Sequence, residues 1–294
     1  MTAAVRAQRL GCRFGELWAL RDCTFEVPSG CVAAVVGPNG AGKSTLINLL
    51  VGLLPPSSGE VEVFGERPAD TASFLERVGF VAQDTPLYRD FSGEDHLRMG
   101  GHLNTHWNDT LARERLNAAD VPLRRPAAAL SGGQRAQLAL ALAIGKEPDL
   151  LLLDEPLASL DPIARRDFMQ SLMTTTESGT TVMLSSHLIS DLAHVCDFLI
   201  VIVEGQLRLV GEIDDLLGQH RWIVASTGEA DHLPGDVEVI VTYERDRNAR
   251  LLVRTGSPLL NPALITQPVN LEDLVLAYLE PEPRRGPRLG AAPA

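Results

Sequence analysis

The 294-residue sequence lacks the features of secreted, membrane-spanning and disulfide-rich proteins. Its first residues contain no apolar segment of the kind that a secretory signal requires. Its most apolar run, FLIVIV at 198–203, is far shorter than the roughly 20 residues that cross a bilayer. The four cysteines form no CxxC pair and show no metal-binding spacing, which indicates reduced thiols. We therefore expect a soluble, cytoplasmic protein.

A basic surface and internal repeats are also lacking. The formal net charge is −12, from 38 acidic residues and 26 lysines and arginines. Nucleic-acid-binding domains usually carry a basic face, so we expect no nucleic-acid partner. Any phosphate ligand would then be held by local geometry rather than by the field of the whole protein. Since no segment is repeated, a nucleotide-binding fold would occur once in the chain.

A glycine-rich segment, GPNGAGKST at 37–45, lies between a strand pattern and a helix pattern. The apolar run CVAAVV at 31–36 is typical of a strand buried on both faces, and leucines then recur with helical spacing from Leu46. Strand, glycine turn and helix form the context of a P-loop, where backbone N–H groups bind phosphate. The predicted ligands of the phosphates are Gly37, Pro38, Asn39, Gly40, Ala41, Gly42, Lys43, Ser44 and Thr45.

Two residues of this loop have more specific predicted roles. Lys43 would reach the β- and γ-phosphates, and the Ser44 hydroxyl would hold Mg²⁺. A second buried strand pattern, LLLLDEP, ends in the acids Asp154 and Glu155. Asp154 would bind in the magnesium shell, and Glu155 would accept a proton from an attacking water.

A second glycine turn, LSGGQ at 130–134, precedes another helix pattern. It forms a second candidate anion site at a helix amino end, although one nucleotide does not need two such sites from one chain. The loop is therefore either structural or serves the nucleotide of a neighbouring molecule, and spacing alone leaves both possibilities open.

The ordered set of motifs resembles that of the ATP-binding cassette (ABC) ATPases over residues 1 to about 217. The matching segments are GPNGAGKST, FVAQD with Gln83, LSGGQ, LLLLDEP, SLD at 159–161 and SSH with His187. The resemblance implies a head-to-tail homodimer in which Ser131, Gly132, Gly133 and Gln134 contact the γ-phosphate of the partner's ATP. It also implies that Gln83 contacts Mg²⁺ and the attacking water, and that His187 hydrogen-bonds the γ-phosphate.

Three further residues are interpreted through the same resemblance. Phe14 lies where the family stacks an aromatic ring on adenine, with Trp18 as the alternative. Asp161 would lie at the subunit interface. The loop LSGGQ at 130–134 is the family's signature loop, and Gln137 stands where the family often has an arginine after it. This departure bears on contacts around the helix that follows the loop.

The resemblance implies an ATPase subunit of a transporter that drives a separate membrane permease from the inner face of the cell membrane. The segment NLEDLVLAYLE at 270–280 has an apolar stripe with helical spacing and predicts a helix that Asn270 can cap. With the two preceding residues, the ending PVNLEDLVLAYLE is similar to the closing helix of exporter-type cassettes. The alternative is a soluble ABC ATPase of ribosome or DNA maintenance, which a single cassette, the lack of a coiled-coil insertion and the acidic charge disfavour. A P-loop kinase or GTPase is disfavoured because no NKxD motif is present.

The predicted fold class is α/β, because strand patterns alternate with helix patterns. The resemblance specifies a RecA-like P-loop core with an antiparallel β subdomain and a helical subdomain at about 85–145. We predict an ATPase domain at 1–217, a small α+β accessory domain at 218–280, and a disordered tail at 281–294.

Overall fold

The computed structural model describes residues 3–69, 71–158, 160–176, 179–189, 192–226, 233, 237–245, 248–256 and 264–280. Residue contacts divide the chain into two units, 1–210 and 211–294. The boundary predicted at 217–218 falls inside helix α7, Ile213–Gln219, which belongs to the second unit. The predicted tail, 281–294, lies outside the described residues.

The first unit is built on a six-stranded sheet whose strand order is β5-β6-β7-β3-β8-β9. Its strands are β3 (Val32–Val36), β5 (Val78–Val81), β6 (Leu150–Leu153), β7 (Thr181–Ser186), β8 (Phe198–Val203) and β9 (Gln206–Glu212). Strands β5, β6, β7, β3 and β8 pair in parallel, so their carboxyl ends meet at the same edge of the sheet. Strand β9 follows β8 through a two-residue turn at Glu204 and Gly205, both with positive φ.

A three-stranded antiparallel sheet and a helical region complete this unit. The sheet has the order β2-β1-β4, with β1 at Ala3–Phe14, β2 at Leu17–Pro28 and β4 at Ser58–Val63. The helices are α1 (Lys43–Val51), α2 (Ala72–Arg77), α3 (Gly93–Leu103), α4 (Asp109–Ala118), α5 (Gly132–Ile144) and α6 (Pro162–Thr176). Helices α3, α4 and α5 share a buried apolar cluster that includes Leu97, Leu116 and Leu138, which is the region predicted to be helical.

The second unit contains a four-stranded antiparallel sheet of order β11-β12-β10-β13. The strands are β10 (His220–Ser226), β11 (Val237–Arg245), β12 (Asn248–Thr255) and β13 (Ile265–Pro268), and the helices are α7 and α8 (Leu271–Leu279). Asn270 caps α8, as predicted, because its side-chain oxygen accepts the N–H of Asp273 at 2.7 Å. The strand β13 was not predicted, since its exposed residues give no apolar pattern.

Within the described residues, no helix combines the length and the apolar character that crossing a membrane requires.

Candidate functional site

The glycine-rich loop joins the buried strand β3 to helix α1. All five residues of β3 are buried, as expected of a strand covered on both faces. The loop turns at Pro38, whose carbonyl oxygen accepts the N–H of Ala41 at 3.1 Å. Gly42 precedes α1 with a φ of 108°, and no described side chain caps this helix end. The first N–H groups of α1 are therefore not engaged by a cap, and the helix dipole favours an anion there.

Two glycines of the loop are required because the backbone of other segments approaches them closely. A Cβ atom at Gly37 would lie 2.2 Å from the carbonyl oxygen of Ile202, and one at Gly42 would lie 2.4 Å from that of Ala19. Gly40 has open space around it, but its φ of 80° is one that side chains with a Cβ rarely adopt. The glycine pattern thus follows from the shape of the backbone.

Lys43, the first residue of α1, is only 5% exposed. Its Nζ donates to the carbonyl oxygens of Gly37 at 2.8 Å and Pro38 at 3.2 Å. The same nitrogen lies 3.1 Å from Glu155 Oε1, in an ion pair whose two side chains are almost fully buried. The ammonium group is therefore occupied by the carboxylate and the loop carbonyls, which are the groups that a phosphate would replace.

Asp154 follows β6 and faces the amino end of α1. Its Oδ1 accepts one hydrogen bond from Ser44 Oγ at 3.1 Å and another from Ser185 Oγ, in β7, at 2.6 Å. Hydroxyl and carboxylate oxygens suit Mg²⁺, which keeps water and phosphate oxygens as its other ligands. Ser44 and Asp154 fit such an ion. The described part of the chain contains no group of three or more His, Cys, Asp or Glu placed to hold a metal alone.

Glu155 is held by contacts at both its backbone and its carboxylate. Its φ is 46°, in the left-handed region, which residues with a Cβ enter at a cost of about 1–2 kcal/mol. Its N–H donates to Ser185 Oγ at 2.8 Å. His187 Nδ1 lies 2.8 Å from Glu155 Oε2, where the ring N–H donates to the carboxylate, while Oε1 pairs with Lys43.

A cavity of about 340 Å³ opens over the glycine loop. Its walls are formed by Ala19, Asn39, Gly40, Gly42, Lys43, Ser44, Thr45, Gln83 and Glu155. Gln83 reaches it because it follows β5, whose carboxyl end lies at the same sheet edge as those of β3, β6 and β7. The structure thus brings loop 37–45, Gln83, the acids 154–155 and His187 together at one edge of the sheet.

Phe14 and Trp18 lie at the hairpin that joins β1 to β2. The Phe14 side chain is 51% exposed. The Trp18 ring has a cationic partner, because the Arg13 guanidinium carbon lies 5.7 Å from its centroid. Phe14 therefore offers the freer ring face for stacking on a base. Both residues are described, and neither lines the cavity over the glycine loop.

Residues 131–134 begin helix α5 and do not line that cavity, although all four are described. Ser131 Oγ accepts the N–H of Gln134, and Gln134 Oε1 accepts the N–H of Ser131, both at 3.1 Å. These reciprocal bonds form a capping box. Gly132 and Gly133 lie in the first turn of α5, so within one chain the signature loop is separate from the phosphate loop.

Asp161 and Gln137, the two other residues interpreted through the resemblance, lie at the start of α6 and within α5. Asp161 Oδ1 accepts the N–H groups of Ile163 and Ala164, both at 3.0 Å, at the start of α6. Gln137 is 9% exposed within α5, so the departure from the family's arginine places a neutral amide in a buried position.

The parallel sheet, the uncapped amino end of α1 and the acids that follow β6 define a P-loop nucleotide-binding fold. A model of the family described as "ABC transporter" matches residues 20–158. The Nod factor export ATP-binding protein I of Sinorhizobium fredii is 32% identical over 298 residues, covering 93% of this chain and 85% of the relative. The chain therefore belongs to the ABC transporter family.

Other relatives and solved structures agree with this assignment. The sulfate/thiosulfate import ATP-binding protein CysA of Mesorhizobium japonicum is 33% identical over 247 residues, covering 80% of this chain and 71% of the relative. The solved ATP-binding subunit of an ABC transporter superposes with a TM-score of 0.66 at 26% identity, covering 74% of this chain and 92% of that chain. A dimeric cassette solved in a post-hydrolysis state with ADP and Pi has the same fold, with a TM-score of 0.64 at 24% identity over 71% of this chain and 98% of that chain.

The predicted family, the α/β fold class and the assignment as an ATP-binding, ATP-hydrolysing subunit are thereby confirmed. Sequence reasoning did not single out Ser185, which contacts both acids that follow β6. It also missed Ala19, a wall residue of the cavity. The signal for Ser185 was its place in the polar end, SSH, of the strand pattern TTVMLSSH, two residues before His187.

Proposed function

We propose that two copies of the chain bind two ATP molecules head to tail, as a homodimer. Each copy would close its residues 131–134 over the nucleotide that the other copy holds on loop 37–45. One observation carries this proposal. The uncapped amino end of α1 lines the cavity, whereas residues 131–134 at the amino end of α5 lie outside it within the same chain. A solved cassette of the same fold is dimeric, which supports the proposal.

In this proposal the phosphates replace the partners that Lys43 has in the structure. Lys43 leaves Glu155 and binds the β- and γ-phosphate oxygens, which frees the Glu155 carboxylate to accept a proton from the attacking water. His187 donates its Nδ1–H to Glu155 and orients that carboxylate. A further donation to the γ-phosphate would come from Nε2 and requires a proton on that nitrogen as well. Gln83, in the cavity wall, contacts the water.

Magnesium and the adenine ring are assigned to residues nearby. Ser44, Asp154 and Gln83 would hold Mg²⁺, which when bound supplies positive charge to the phosphate oxygens. Phe14 would stack on adenine, because its ring is the more exposed of the two aromatic candidates. The remaining loop residues, except Pro38, which has no backbone N–H, would contribute backbone N–H groups to the phosphates.

We further propose that nucleotide-driven closure drives a separate membrane permease, so that the chain is peripheral at the inner face of the cell membrane. A groove of about 670 Å³ with apolar walls, including Val51, Phe80, Leu87 and Leu142, offers a docking site for such a subunit. Export is favoured because a relative named as an export protein matches 93% of the chain. An import protein matches 80% of it, so direction is to be decided by measurement.

Turnover and dimer formation of defined variants test the catalytic part of this proposal. Glu155→Gln should bind ATP, accumulate as an ATP-bound dimer in size-exclusion chromatography and hydrolyse ATP at least about 100-fold more slowly. Wild-type hydrolysis by this variant would exclude Glu155 as the base.

Mixed dimers test the contact between copies. Lys43→Ala should lose nucleotide binding, and Ser131→Arg should bind ATP but not turn it over. A mixture of the two variants forms dimers with one intact composite site, and recovery of ATPase activity in the mixture would support trans assembly. An inactive mixture in which mixed dimers are shown to form would contradict it.

Vesicle transport tests the direction and the partner. The chain would be reconstituted in lipid vesicles with a candidate multi-span membrane protein, and ATP would be supplied on the side of the cassette. Stimulated ATPase activity and substrate movement away from that side are expected for an exporter. Movement towards that side would show import, and a chain that associates with ribosomes or DNA instead would favour the alternative.

A further inference from the structure

Ser185 is a fully buried hydroxyl at the end of β7, beside the two acids of the site. Strand β7 pairs in parallel with β6, with Leu184 opposite Leu153. The next residue of each strand, Ser185 and Asp154, therefore continues the same register. This position places the serine hydroxyl 2.6 Å from Asp154 Oδ1 and 2.8 Å from the backbone nitrogen of Glu155.

The two contacts use the hydroxyl group in both of its roles. A serine hydroxyl has one proton to donate, and here Asp154 accepts it in a short bond of the kind that charge strengthens. The hydroxyl oxygen in turn accepts the N–H of Glu155. One buried atom thus links the carboxylate assigned to magnesium with the backbone of the carboxylate assigned to proton transfer.

The second contact acts on a residue whose backbone conformation is unfavourable. Glu155 has a φ of 46°, and such a conformation persists only where surrounding groups hold it. Without the Ser185 hydroxyl the buried N–H of Glu155 would lose its acceptor, so rotation of that peptide would become favourable. The Glu155 carboxylate would then move relative to Lys43 and His187, which contact its two oxygens.

We propose that Ser185 is a positioning residue for ATP hydrolysis, orienting Asp154 for magnesium and fixing the backbone of Glu155. This inference rests on the roles proposed above for the two acids. Ser185 acts through those residues and does not itself contact nucleotide. Removing a group that orients a metal ligand typically lowers metal affinity or activity by about 10- to 100-fold.

Thr181 offers a matched control in the same strand. It is fully buried, and its Oγ1 accepts the N–H of Gly30 at 2.9 Å. It lies at the amino end of β7, whereas Ser185 lies at the carboxyl end, near the site. Thr181→Val therefore removes a buried hydroxyl and an accepted backbone hydrogen bond without touching Asp154 or Glu155.

The test compares Ser185→Val, Ser185→Thr and Thr181→Val by three measurements. These are the melting temperature, the Mg²⁺ concentration that gives half-maximal ATP affinity in equilibrium titrations, and kcat. For Ser185→Val we expect that Mg²⁺ concentration to rise about tenfold and kcat to fall about 100-fold, without any weakening of ADP binding in EDTA. Ser185→Thr keeps the hydroxyl and should recover most of both values. Thr181→Val should lower the melting temperature with little effect on either.

Wild-type Mg²⁺ dependence and kcat in a folded Ser185→Val protein would overturn the proposal, as would equal losses in Thr181→Val. If Ser185→Val does not fold, the smaller Ser185→Ala substitution replaces it and is judged by the same values. Glu155→Gln, measured in parallel, separates the two levels of inference. Slow turnover in Glu155→Gln with unchanged Ser185→Val refutes only the positioning role, whereas normal turnover in Glu155→Gln refutes the underlying assignment.

Discussion

The buried ion pair between Lys43 and Glu155 leads to a prediction about nucleotide affinity in the absence of magnesium. At 3.1 Å the pair has a Coulomb attraction of about 5 kcal/mol with an effective dielectric constant of about 20, and desolvation offsets much of it. In the proposed binding mode, a nucleotide must displace the carboxylate from Lys43 before the ammonium can bind phosphate. Glu155 therefore competes with the ligand, and Glu155→Gln should bind ADP more tightly than the wild type.

The size of this effect follows from the difference between a charged and a neutral hydrogen bond. A hydrogen bond to a charged acceptor contributes about 1.5–3 kcal/mol, and one to a neutral amide about 0.5–1.5 kcal/mol. Lys43 keeps its bonds to the carbonyl oxygens of Gly37 and Pro38 in both proteins. The variant should thus gain about 1–1.5 kcal/mol, or about 5- to 12-fold in ADP affinity.

Isothermal titration calorimetry with ADP in EDTA measures this difference without turnover. Glu147→Gln is the control, because it removes one negative charge from an exposed residue just before β6, at the opposite end of that strand from Glu155. Its ADP affinity should stay within about twofold of the wild type. An affinity in folded Glu155→Gln that is equal to or weaker than that of the wild type would refute the competition between carboxylate and phosphate.

Three other outcomes are expected. Gly42→Ala should lose about 3 kcal/mol of unfolding free energy in urea titrations, because its Cβ meets a carbonyl oxygen at 2.4 Å, whereas Gly40→Ala, with open space, should lose about 1 kcal/mol. Burial lowers the pKa of His220, so the second unit should lose stability as pH falls below about 6.5. The melting temperature of His220→Gln should depend less on pH, and an equally acid-sensitive variant would contradict this. Phe14→Ala should weaken ATP binding about tenfold, and a larger loss in Trp18→Ala would reverse the adenine assignment.

The sequence predicted the parts of the site that depend on local pattern. The glycine spacing at 37–45, the apolar run before Asp154 and the serine-flanked His187 each lie at a strand end, and parallel pairing brings strand ends together. Contacts that depend on side-chain geometry between strands were not predictable in this way. Ser185 donates to Asp154 and accepts the N–H of Glu155, and both bonds require the register of β6 and β7. The pairing of Lys43 with Glu155 requires that both side chains be buried in a common space.

The second unit shows the same division. Its helix α8 was predicted because an asparagine cap and an apolar stripe are local signals, and Asn270 does accept the N–H of Asp273. All four residues of β13 are exposed, so no apolar pattern in the sequence indicates a strand there. The strand is defined by its pairing with β10, which only the structure shows. Residue contacts begin this unit at Gly211, a few residues before the boundary predicted at 217–218.

The capping box at the start of α5 has a consequence for which nucleotides hold two copies together. The backbone N–H groups of Ser131 and Gln134 already have acceptors within the single chain, so these two donors can bind an incoming anion only if the capping box opens. If residues 131–134 contact the γ-phosphate held by the other copy, a triphosphate opens this capping box more readily than a diphosphate, which has no γ-phosphate. Loss of the terminal phosphate would let the capping box re-form, so the strength of these two hydrogen bonds would set how well the dimer distinguishes a triphosphate from a diphosphate.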